Sequence, residues 1–389
     1  MGGEAKERIP FRFGVPGFGP RVYFERVLHF SLPATLERVK ALLIQENVPL
    51  APLTTFGVGG AARWFVEADS EAALLEALTW AGERDLRSFV LGGGSNLLVP
   101  DEGFGGLVIR MALRGVEDRG EGVFAVAAGE VWDEFVQHAV KSNCAGIECM
   151  AGIPGSVGGT PVQNVGAYGQ EVGHTIVEVR AFDRVAGEMV TLEHDACAFR
   201  YRESRFNTDE PGRFVVTGVV FGLKPGGAPN LGYADLKKRF AEAAQAPSLV
   251  EVAAAVREIR RSKGMLLVAG DPDTHSAGSF FKNPIVDAGL LESIARAEGI
   301  SPDLVPHWPG GEGRIKLAAA WLLEHAGFVK GFADGPVGIS SRHTLALINL
   351  GGTRGGATFA DVERFEGRIR AAVQEKFGVV LVREPVVLR

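Results

Sequence analysis

The feature that constrains this chain most is a pair of glycine-dense loops, Leu91-Gly92-Gly93-Gly94-Ser95-Asn96 and Ala151-Gly152-Ile153-Pro154-Gly155-Ser156-Val157-Gly158-Gly159-Thr160. Without a Cβ, backbone N–H groups come close enough to a phosphate to donate to it, so such loops are candidate anion cradles. Context excludes two familiar versions. The dinucleotide turn of a doubly wound sheet needs a helix directly after the loop, with its N-terminus at the pyrophosphate. After Gly94 the chain instead reads Leu97-Leu98-Val99, a strand. A nucleoside-triphosphate loop needs Gly-Lys-Ser/Thr, which is absent. Tight turns without a ligand compete for either loop alone. Both loops together, with Ser95, Asn96 and Ser156 as further donors, favour a phosphate-bearing ligand.

The chain around the loops mixes α and β. Leu74, Leu75 and Leu78 form one apolar stripe behind a Ser70 N-cap, which predicts a helix from Ser70 to Trp80. Strands are predicted at Ser88–Leu91 and Leu107–Ile109, then at Val123–Ala128, Ile176–Phe182, Met189–Leu192 and Phe214–Leu223. Ser248-x-x-Glu251 is a capping box that opens a helix running to about Lys263. Further helices are expected at Lys316–His325, stopped by Gly327, and from about Asp361 to Phe377, stopped by Gly378. A strand, Val379–Val382, should close the chain before Arg383-Glu384-Pro385.

At 389 residues the chain exceeds one ordinary core. We divide it into an extension at 1–33, expected to be poorly ordered, and units at 34–110, 111–262 and 263–389. The net charge of -6, with both signs interspersed, excludes a nucleic-acid groove. No apolar run is long enough to span a membrane, and the N-terminus lacks the apolar middle of a secretory signal. Cys144, Cys149 and Cys197 have neither disulfide nor zinc-ligand spacing, which fits a cytoplasmic protein with cysteines used for packing and no metal site.

Several strings in this order resemble the UDP-N-acetylenolpyruvoylglucosamine reductases. They are Thr54-Thr55-Phe56-Gly57-Val58-Gly59-Gly60, the two glycine loops, Gln163-Asn-Val-Gly-Ala-Tyr-Gly169, Tyr201-Arg202-Glu-Ser204-Arg-Phe206, Ala277-Gly-Ser279-Phe-Phe-Lys-Asn283-Pro and Arg383-Glu384-Pro385. The likeness runs over roughly residues 45 to 389. It implies an α+β fold: two α+β subdomains that hold FAD, of the vanillyl-alcohol-oxidase type, and a C-terminal α+β substrate domain. It implies non-covalent FAD, NADPH as co-substrate, and reduction of UDP-N-acetylglucosamine enolpyruvate in peptidoglycan precursor synthesis, by a monomer. Tyr233, in Asn230-Leu-Gly-Tyr233, matches the subclass with a substrate-capping tyrosine.

The resemblance also assigns residues. Arg202 is the expected enolate-stabilising cation, its planar fork suited to a carboxylate. Ser279 is the expected proton donor. Glu384, whose backbone is kept extended by Pro385, is expected to hold a proton when it faces a substrate carboxylate. Gly92, Gly93, Gly94, Ser95, Asn96 and Leu97, with Ile153, Pro154, Gly155, Ser156, Gly158 and Gly159, are assigned to FAD. Tyr168, Tyr233, Lys263, Asn283 and His325 are assigned to substrate. Arg200 and Arg205 are expected in surface ion pairs. Two departures stand out: Asn207 replaces a frequent Lys, and the Lys263–Ser279 segment is longer than in some members. An oxidase on the same flavin scaffold and a non-catalytic flavin or nucleotide-sugar binding protein are the other readings. The first often carries a histidine for covalent flavin attachment, and the loop at Ser95-Asn96 has none. The joint presence of Arg202, Ser279 and Glu384 argues against the second.

Overall fold

In the computed structural model, which describes residues 42–351 and 356–389, the first glycine loop leaves the carboxyl end of strand Ser88–Leu91. That strand sits at the edge of a four-stranded sheet in the spatial order Gln45–Pro49, Ala61–Ala68, Phe104–Met111, Ser88–Leu91. The last three strands run parallel, and Phe104–Met111 between them is buried on both faces, as a central parallel strand must be. The helix Glu71–Glu83 packs on this sheet. Its N-terminus is capped by Ser70, whose hydroxyl accepts from Ala73 N at 3.2 Å. The expected extension at 1–33 lies outside the described residues.

A second, antiparallel sheet has the order Glu188–Glu193, Ile176–Asp183, Phe214–Gly222, Val123–Ala127, Val116–Asp118. Two helices, Trp132–Lys141 and Leu249–Ser262, cover it. One apolar core runs from Val66 to Val256 and takes residues from both sheets, so the first two units pack as a continuous body. A second core joins Phe280, Phe281, Leu322, Leu323, Phe365 and Ile369 to Phe56, Val58 and Leu98 from the first unit. The described residues thus confirm mixed α+β architecture, with the C-terminal part folded back on the N-terminal sheet.

Three expectations need correcting. Lys316 does not begin a helix: it lies in strand Arg314–Leu317, and the helix is Ala319–His325. Asn283 supplies the reason, since its Oδ1 accepts from Ala319 N at 3.0 Å and fixes the helix start there. The closing strand is not Val379–Val382 but Val386–Val387, paired parallel with Leu97–Leu98. Helix Trp132–Lys141 was not expected at all, although Trp132, Phe135, Val136, Ala139 and Val140 make a buried helical stripe.

The glycines of the first loop are demanded by chain-on-chain packing. A Cβ on Gly92 would lie 2.6 Å from Ser156 Oγ, and one on Gly93 would lie 2.6 Å from Gly155 Cα. At Gly94, where φ is +62°, a Cβ would collide with the Leu53 carbonyl oxygen. Gly94→Ala therefore meets both a left-handed backbone and a steric overlap, at a cost of at least about 1 kcal/mol. Its thermal unfolding midpoint should fall by about 2 °C or more, whereas Gly82→Ala, whose Cβ would meet nothing within 4 Å, should not lower it.

Candidate active site

The two glycine loops meet at the wall of a cavity of about 1100 Å³. Ser95 Oγ donates to the Pro154 carbonyl at 2.9 Å, and the Asn96 side-chain amide donates to Gln163 Oε1. Ser95 thus ties loop to loop and Asn96 ties the first loop to the segment after the second, so both side chains already donate within the protein. The free donors are in the backbone. Among the described residues, the amides of Gly93, Gly94, Ser95 and Asn96, and those of Gly155 and Ser156, donate to no protein acceptor. Unpaired N–H groups converging on one cavity form an anion-binding concavity. Leu97, Ile153, Pro154, Gly158 and Gly159 line the same cavity.

Just past the first loop, the last residues of the chain pair with Leu97–Leu98 and align with the segment that carries Ser279. Glu384 N donates to Phe280 O at 2.9 Å, Lys282 N donates to Val382 O at 3.0 Å, and Arg383 bridges Phe281. This pairing places Ser279 beside Glu384. The Ser279 hydroxyl has no hydrogen-bond partner among the described residues and lines the cavity. Arg202 arrives from the antiparallel unit, with Nε 3.3 Å from Glu384 Oε1. Its Nη2 donates to Gly166 O at 2.7 Å and its Nη1 to Asn164 O at 3.4 Å. Burial raises the Glu384 carboxyl above the usual carboxylate range; Arg202 and Lys282 pull against it without cancelling it.

Strained backbone clusters here. Arg202, Asn164 and Tyr168 all have positive φ, at 59°, 43° and 48°, conformations that cost energy and concentrate at functional sites. Asn207, the departure from the family pattern, holds one of them. Its Oδ1 accepts from Ser204 N at 2.8 Å and its Nδ2 donates to Arg202 O at 3.3 Å, closing the turn that presents the arginine. Arg200 and Arg205 pair with Asp209 and Glu210 at the surface, as expected.

At the rim, Tyr168 and Tyr233 stack edge to face with centroids 5.1 Å apart. Tyr233 is largely exposed. Lys263, at the end of helix Leu249–Ser262, sits 5.7 Å over Tyr168 and 2.6 Å from Asp235 Oδ2. Asn283 also lines the cavity. His325 does not: it stacks on Trp321 at 3.8 Å and shares a 2.9 Å hydrogen bond with the Trp321 carbonyl, one turn back on its own helix. The sequence reading also missed two groups on the wall. Arg260, only 7% exposed, donates to the carbonyls of Gly152 and Met265 and has no carboxylate partner among the described residues. Its place one turn before Lys263 on the same helix face was the available signal. His343 is pushed down to about 4 by burial, with Lys263, Lys330 and Arg260 adding to the effect, and no sequence pattern marks it.

A family model for the C-terminal domain of UDP-N-acetylenolpyruvoylglucosamine reductase matches residues 271–388, and an FAD-binding-domain model matches residues 62–193. The UDP-N-acetylenolpyruvoylglucosamine reductase of Streptomyces coelicolor is 45% identical over 364 residues, covering 92% of both chains. This chain belongs to the UDP-N-acetylenolpyruvoylglucosamine reductase family. The enzyme of that name from Pseudomonas aeruginosa is 41% identical, covering 89% of this chain and 99% of its own. The solved reductase of Thermus caldophilus superposes with a TM-score of 0.62 at 26% identity, covering 90% of this chain and all of that one. The family fold thus accounts for nearly the whole chain.

The partly buried His343 has a consequence for stability. A histidine held near 4 in the fold and at its ordinary 6.5 when unfolded leaves the unfolded chain binding more protons between those values. Its contribution is complete above pH 6.5 and is lost as pH falls towards 4, by up to roughly 3 kcal/mol. Thermal melts should show a steeper loss of stability over that window for the wild type than for His343→Gln. Parallel curves would place the titration elsewhere.

Proposed function

We propose that this chain reduces the enolpyruvyl group of UDP-N-acetylglucosamine enolpyruvate to give UDP-N-acetylmuramate, with FAD as bound cofactor and NADPH as reductant. The observation that carries this reading is the convergence of Arg202, Ser279 and Glu384 on the cavity that the double glycine loop also lines. The cavity suits FAD, since its unpaired amides offer a place for a diphosphate and its volume exceeds that of most small-ligand pockets, roughly 300–1,000 Å³. Bound there, FAD would supply the hydride that it takes from NADPH.

Reduction of an enol ether builds negative charge on the carbon that bears the carboxylate. Arg202 lines the cavity with its guanidinium held by two carbonyls, and in this reading it stabilises that charge without reorganising. Ser279, its hydroxyl uncommitted, delivers the proton to the same carbon. Burial raises the Glu384 carboxyl and so favours its protonated form, which in this reading donates a hydrogen bond to the developing enolate. Lys263, Arg260 and Asn283 face the diphosphate and sugar, and Tyr233 covers them from the rim. Residues 34–110 and 111–262 then hold FAD while 263–389 complete the substrate pocket. One chain supplies all three catalytic groups, so we expect a monomer to suffice. We place the step in the cytoplasm, where NADPH and UDP-sugars are made; no described helix is long and apolar enough to cross a membrane.

Two anaerobic half-reactions test the assignment. NADPH should bleach the flavin of both wild type and Ser279→Ala at similar rates. Reoxidation by the enolpyruvyl sugar should be slower in the variant by roughly 10²- to 10⁴-fold; equal losses in both halves would make Ser279 structural. The pH dependence tests Glu384. Wild-type reoxidation should slow as pH rises through the raised value of the carboxyl group, whereas Glu384→Gln, a donor at every pH, should be slower but flat. A variant that keeps the wild-type profile would remove Glu384 from the proton inventory.

A further inference from the structure

Arg184 lines the same cavity and takes no part in the chemistry above. Its Nη1 donates to Ser88 Oγ at 2.7 Å. Its Nε is buried with no acceptor, and no carboxylate lies within ion-pair distance of it among the described residues. The adjacent carboxylate is already spent: Asp183 takes a 2.6 Å ion pair from Arg213 and accepts from the amides of Val185 and Ala186. Burial lowers the Arg184 pKa and nothing offsets it. A cation withdrawn from water with most of its donors idle is costly unless something else completes it. Apolar residues that line the cavity stand next to it in the sheets: Phe89 follows Ser88, Phe214 pairs with Asp183, and Val216 lies two residues further along that strand.

Position along the cavity says what that something is. Ser88 opens the strand whose far end is the loop at Gly92, four residues or about 13 Å onward at ~3.3 Å per residue. Beyond the loop, Asn96 Nδ2 reaches the Glu384 carbonyl at 3.5 Å. The order is therefore Arg184, glycine loops, catalytic groups. If the diphosphate of FAD sits at the loops and its flavin at Glu384, as proposed above, the adenosine must lie on the Arg184 side. We propose that Arg184 recognises the adenosine half of FAD, donating to a ring nitrogen or ribose oxygen while Phe89, Phe214 and Val216 pack on the base, and so makes the site select FAD over FMN.

The test is flavin binding, independent of turnover. Protein stripped of flavin is titrated calorimetrically with FAD and with FMN. Wild type should prefer FAD strongly. Arg184→Met should weaken FAD by about 10- to 100-fold, the scale of a hydrogen bond to a charged group, and leave FMN within about twofold. Arg184→Lys, which keeps the charge and so protects the fold, should weaken FAD less and also spare FMN. Unchanged FAD affinity in both variants, or equal weakening of FAD and FMN, would overturn the role of Arg184. Failure of the wild type to bind either flavin would instead strike the proposed function.

Discussion

The backbone pairing of the last residues of the chain is the constraint on which the site depends. Glu384 and Val382 hydrogen-bond to the segment Phe280–Lys282, and Val386 and Leu388 donate to Asn96 and Leu98 just past the first glycine loop. Within a few residues the tail touches the proposed proton-donor segment and the first glycine loop, and Glu384 meets Arg202 from the antiparallel unit. Three stretches separated by long loops of chain are thereby held by short, directional bonds. Catalysis that needs groups in register gains most from such over-determined geometry.

The same tail sets the electrostatics. Glu384 is buried beside a guanidinium, yet burial outweighs the attraction and its carboxyl rises. Arg202 spends two of its nitrogens on the carbonyls of Asn164 and Gly166, so it is a donor array held in place by the backbone and only partly a partner of Glu384. Asn207 explains how the turn tolerates an arginine at positive φ, and why a residue that departs from the family pattern is compatible with the site. All three cysteines are buried and free, and burial, aided by Glu148, pushes the Cys149 thiol up to about 12. Burial and raised thiols fit the packing role that their spacing suggested.

Much of this was legible in the chain because it is local. The capping box at Ser248, the glycine stop at Gly378 and the strand runs of the antiparallel sheet are written within a few residues, and they stand where expected. What failed was what other parts of the chain decide. Lys316 joined a strand because Asn283 starts the helix three residues later. The closing strand moved to Val386–Val387 because its partner is Leu97–Leu98. The glycines of the first loop read as room for a phosphate, and they are equally room for the second loop. Arg184 and Arg260 are cations without a carboxylate partner among the described residues, and His343 is a partly buried imidazole among cations; no local pattern carries any of this. His325 matched a family position, but its ring stacks on its own helix. Helix Trp132–Lys141 is different: its stripe was readable, and strand-rich neighbours obscured it.

The most direct measurement is a crystal structure of the flavin-bound protein. The account requires one extended FAD, with its diphosphate oxygens within hydrogen-bond reach of the amides of Gly93–Asn96 and Ser156 and its flavin ring facing Arg202, Ser279 and Glu384. A flavin bound with its ring away from those three side chains, or a diphosphate clear of both loops, would contradict it.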